Sequence, residues 1–109
     1  MFYSENTGML IKAIANNCPK IRKLSTYIEP KDFIHVKLLL LNCRHLESIT
    51  FNSSKNDNNG DELLDILTKF TPESLTYLVI SSKCEYSTVF LERFQEICRK
   101  RSCIFGIIK

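Results

Sequence analysis

The side chains here that could do chemistry are two histidines, five cysteines, one asparagine-rich acidic loop and a few grouped cations, in a chain of 109 residues. His35 and His45 stand in no nucleophile or metal motif, so an enzyme has nothing to be built on. Gly8, Gly60 and Gly106 are too scattered to form a phosphate-cradling loop. Zinc would need CxxC or CxxH pairs, and none exists; Cys98 and Cys103 have four residues between them and no second pair near by. The loop from Asn52 to Glu62 looks at first like a calcium loop. With Gly60 in its sixth position, however, Lys55 and Ile66 fall where carboxylates are required, so it reads instead as a cap, Asn59 and Glu62 opening a helix. Arg99, Lys100 and Arg101, with Arg22 and Lys23, are the residues a nucleic acid could use. Yet the formal charge is only +3 and the pI near 8.6, and a basic triplet at a helix end suits the helix dipole. No aromatic and basic stacking platform accompanies it. No catalytic residue, cofactor or metal is therefore expected, and nucleic-acid binding is the weaker alternative.

What remains to position is a surface, and the elements that would position it come from a repeat. Cys43, Leu46, Ile49 and Phe51 are matched by Cys18, Ile21, Leu24 and Thr26 upstream, and more loosely by Thr71, Leu75, Leu78 and Ile80. A fourth, least regular copy starts at Cys98. Between the copies run helical stripes. Thr7 is the expected N-cap of a helix presenting Leu10, Ile11, Ile14 and Cys18, closed by Asn17 and Pro19. A second helix follows Pro30 with Phe33, Ile34, Val36, Leu39 and Leu40 inward, and its apolar run 38–41 places it between neighbours. In the third, Leu63, Leu64, Leu67 and Phe70 face inward, and Asp61, Glu62, Asp65 and Lys69 face water. The fourth, about 87–99, shows Phe90, Leu91, Phe94, Ile97 and Cys98. Period-two stretches predict strands over 21–28, 47–51 and 76–80. A last strand follows at an offset of either 27 or 29 residues, with Phe105 and Ile107 inward and Ile104 and Ile108 outward under both.

A helix and strand pair cannot bury its own apolar stripe, whereas stacked copies can. The expected fold class is therefore α/β, a leucine-rich-repeat solenoid of about four helix-strand repeats with a curved parallel sheet, forming one domain over 1–109. Its concave face would carry Lys23, Ser25, Tyr27, Ser48, Thr50, Asn52, Tyr77, Val79 and Ser81. Two tyrosines among short hydroxyl and amide residues suit contact with a protein, because tyrosine offers large area at small entropic cost. Solvated sheet positions would look the same. No run is long enough to span a bilayer, and the first residues lack the basic start of a secretory signal. An odd cysteine count without such a signal favours a reducing compartment, cytoplasmic or nuclear, with the cysteines as packing residues. Ile104 and Ile108 near an open end suggest self-association.

NCPKIRKLSTYI and NCRHLESITF resemble the cysteine-containing leucine-rich repeat, C-x-x-L-x-x-L-x-L. More narrowly, LLLLNCRHLESITF, DELLDILTKFTPESLTYLVIS and FLERFQEICRKR resemble the F-box/leucine-rich-repeat proteins of arbuscular mycorrhizal fungi, over about 14–109. The resemblance implies that the repeats choose the protein to be ubiquitinated, while an F-box docks on the Skp1 adaptor of a cullin ubiquitin ligase. Met1 lies only a few residues before the first repeat helix, so no F-box is expected and Skp1 recruitment is in doubt. A stand-alone repeat segment or a truncated, non-functional fragment is the other expectation. Thr71 stands where the third copy would have cysteine, and Thr26 where the first would have its last leucine.

Overall fold

A computed structural model describes residues 7–53, 60–81 and 85–108, with side chains between 11 and 107 of those ranges. Helices and strands alternate strictly: α1 (Thr7–Asn17), β1 (Lys23–Tyr27), a 3-10 turn (Pro30–Asp32), α2 (Phe33–Asn42), β2 (Ser48–Asn52), α3 (Gly60–Phe70), β3 (Tyr77–Ser81), α4 (Thr88–Lys100) and β4 (Ile104–Ile108). The strands form one parallel sheet in the order β1-β2-β3-β4, and each helix packs beside the next. Every strand is thus joined to its neighbour by a helical crossover, as parallel pairing requires. The result is a repeat-like α/β fold.

Register follows the sequence repeat. Lys23 pairs with Ser48, Ser48 with Tyr77, and Tyr77 with Ile104. The last pairing settles the final offset at 27 residues rather than 29. Two rows of side chains then run across the buried face, Leu24, Ile49, Leu78 and Phe105 in one and Thr26, Phe51, Ile80 and Ile107 in the other. The strand residues through β3 are fully enclosed or nearly so, and those of β4 are half-buried against the same core. Thr26 is the one polar member, and its hydroxyl donates to the Tyr27 carbonyl at 3.2 Å, so its burial leaves no orphan. The other layer of the core comes from the helices: Ile11 and Ala15 of α1, Phe33, Val36, Leu39 and Leu40 of α2, Leu63, Leu64 and Leu67 of α3, and Phe94 and Cys98 of α4. Phe94 meets Phe105 edge to face, ring centres 5.0 Å apart, which ties α4 to β4.

Local chemistry sets the helix ends. The Ser87 hydroxyl accepts from the Phe90 amide to cap α4. Asp32 is buried, and its carboxylate accepts from the Glu29 amide at 3.0 Å, holding the 3-10 turn that opens into α2. In α3 the Asp65 and Lys69 pair closes at 3.1 Å, with Asp61 and Glu62 in the first turn. The carbonyls at the end of α3 meet two arginines. Arg44 donates to Phe70 at 3.0 Å from one side, and Arg101 to Pro72 at 2.9 Å from the other. The proposed caps Thr7 and Asn59 fall outside the described side chains, as does the rest of the loop 54–59.

Three expectations about burial are corrected. Cys18 is exposed, not packed, whereas its counterpart Cys43 is enclosed and its thiol donates to the Cys18 carbonyl at 3.3 Å. Cys43 has a preceding repeat to lie against, and Cys18 has none among the described residues. Ile34 is 72% exposed, because α2 buries the side defined by Phe33, Val36 and Leu40, and Ile34 points the other way. Phe90 is also exposed, lying in the first turn of α4 beyond the cover that encloses Phe94.

Candidate binding face

The strand positions of opposite parity make up the other face of the sheet, where eight of the nine sequence-selected residues lie. Pairing aligns them in rows: Lys23, Ser48, Tyr77 and Ile104; then Ser25, Thr50, Val79 and Gly106; then Tyr27 with Asn52. Lys23 and Tyr77 are exposed, and Ser25, Tyr27, Ser48, Thr50, Asn52 and Val79 are half-buried, as flat sheet residues are when only neighbouring strands crowd them. Lys23, Ser25, Ser48 and Thr50 share a shallow depression of about 370 Å3 with Ile14, Ile21 and Leu24. The face therefore changes character along its rows, from a cation and hydroxyls on β1 and β2 to Tyr77, Val79 and Ile104 on β3 and β4.

Ser81 does not belong to it. Only 5% of Ser81 is exposed, and the Tyr86 hydroxyl donates to its carbonyl at 2.7 Å. Ile104, 66% exposed, joins the face although the sequence reading did not place it among the binding residues. Its outward parity was readable from the alternation, and the pairing with Tyr77 puts it at the end of the most exposed row.

Most of the cations weighed for nucleic acid are engaged inside the chain. Arg22 pairs with Glu47 at 2.8 Å, Arg99 pairs with Glu96, and Arg101 spans to the Thr71 and Pro72 carbonyls. Of the described thiols, Cys43, Cys98 and Cys103 are placed for packing and Cys18 is not. Burial, with Cys103 adding to it, pushes the Cys98 thiol up to about 12; burial followed by Cys18 raises Cys43, and burial raises Cys103. A thiol held neutral is a poor nucleophile. Among the described residues no three His, Cys, Asp or Glu side chains group to hold a metal ion, and no helix is long and apolar enough to cross a membrane.

Comparison with protein-family models, with curated proteins and with solved structures finds no match.

Proposed function

We propose that this chain is a protein-interaction module and that its partner lies across the bare face of the sheet. The observation that carries this is a parallel sheet with one face packed by four helices while the other presents Lys23, Tyr77 and Ile104 to solvent. Parallel sheets are ordinarily covered on both faces, so a face left open is free for a second molecule to cover. Tyrosines in β1 and β3 flank hydroxyl and amide side chains on β2, an arrangement of rigid contact area around adaptable hydrogen-bonding groups.

The same reading takes the fold as a leucine-rich-repeat solenoid and the open face as its concave side. It is supported by the repeat spacing and by strand pairings that follow it. In the F-box/leucine-rich-repeat proteins that the sequence resembles, such repeats select the substrate of a ubiquitin ligase, and substrate selection is the role proposed here. Affinity capture from a native lysate tests the proposal, with a Tyr27→Ala, Tyr77→Ala variant as control. A specific protein captured by the parent chain and lost with the variant is the expected result. Captured proteins that are the same for both chains would remove this face from the function.

A further inference from the structure

We propose that a second surface, on the outer side of the helix layer, docks an acidic amphipathic helix from a partner protein. α2 carries two apolar stripes where a surface helix ordinarily carries one. Phe33, Val36, Leu39 and Leu40 are consumed by the core. Ile34, Leu38 and Leu41 stand at i, i+4 and i+7, on the opposite side of the same helix. Ile34 is 72% and Leu41 47% exposed, and Leu38 is half-buried between them.

These three side chains form an apolar patch along a shallow, open groove of about 370 Å3, Leu38 also leaning on the core, and the other lining residues are Lys12 of α1 with His35 and Lys37 of α2. None of the six lining residues is acidic. The Lys37 ammonium stands 5.0 Å from the centre of the Phe70 ring, which holds the positive charge towards the α3 side, while Lys12 supplies it from α1. An apolar patch flanked by two lysines is complementary to a helix with leucine-like residues on one face and carboxylates beside them. The stripe spans eight residues of α2, a rise of about 10 Å, or two turns of such a helix.

Two other occupants fit less well. A second copy of this chain meeting the groove by a two-fold axis would bring Lys12 and Lys37 against their own kind. An anionic lipid surface is held by clusters of several lysines and arginines, and of these only Lys12 and Lys37 line this patch.

The test uses a fluorescent synthetic helix with leucines at i, i+4 and i+7 and glutamates flanking them, and a twin with lysine for glutamate. Binding is read by anisotropy. The glutamate peptide should bind about tenfold more tightly than its twin, the difference expected when two surface ion pairs replace two repulsions. Ile34→Glu should abolish binding. The exposure of Ile34 means that the variant should fold, which its circular dichroism and melting curve check. Tyr77→Ala should leave peptide binding unchanged, so that failure here and failure of the sheet face are read separately. Equal affinity for the two peptides, or binding unaffected by Ile34→Glu, overturns the proposal. So does Ile34-dependent binding to phosphatidylserine vesicles without peptide binding, or an Ile34-dependent dimer in sedimentation.

Discussion

Single side chains here divide by what their neighbours allow. Cys18 and Cys43 occupy the same repeat position, yet one is exposed and the other enclosed. Among the described cysteines, Cys18 should be alkylated by iodoacetamide first at mildly alkaline pH, well before Cys43 and Cys98, as peptide mass mapping would show. Cys98 also gives a pH signature. Its thiol is raised from 9.0 to about 12 in the folded chain, so its contribution to stability is complete below the ordinary thiol value and is lost as pH rises through that interval. Urea titrations should show a decline from about pH 9 upward that is smaller in a Cys98→Ala variant. A decline of equal size in both would mean that other groups carry it. None of this distinction was legible in the repeat, because equal spacing reports equal position and not equal cover.

The elements were largely legible, and their edges were not. Alternation of apolar residues placed the strands within a residue or two, with β2 at Ser48–Asn52 and β3 at Tyr77–Ser81 shifted one residue towards the C-terminus of the expectation. Helical stripes identified most of the inward residues of α3, since Leu63, Leu64 and Leu67 are buried and Phe70 packs against the core, but they missed Ile66, which packs there too. How α3 meets α4 was not visible. The Asp61 carboxylate accepts from the Ser87 amide at 2.7 Å, and Gly60 lies so close to Glu85 and Tyr86 that a Cβ would overlap the carbonyl oxygen of one and the ring of the other. Gly60→Ala should therefore destabilise the chain by roughly 1–3 kcal/mol, the range for overpacking, although alanine is ordinarily the better helix former. Gly60→Ala paired with Tyr86→Ala should recover part of the loss in a double-mutant cycle. Simple addition of the two effects would show that the ring is not what resists the methyl group.

At the scale of the whole molecule, rows of side chains crossing all four strands make the core continuous rather than a set of separate repeats. Ile49 lies between Leu24 and Leu78 with none of its surface exposed. Ile49→Ala should lower stability by about 2–5 kcal/mol and shift helical and strand signals together in one transition. Loss of β1 alone at low denaturant would instead reveal independent repeats. The sequence by itself determined the alternation of helix and strand and the inward parity of each strand. It also fixed the first two register offsets, because all of these repeat at fixed spacing and are written in local pattern. The tertiary structure alone decided the last offset, the burial of Ser81 and the exposure of Cys18. It also turned Ile34, Leu38 and Leu41 of α2 into an outer groove beside Lys12. Burial is conferred by residues distant along the chain, and periodicity can say which way a side chain points but not what arrives to cover it.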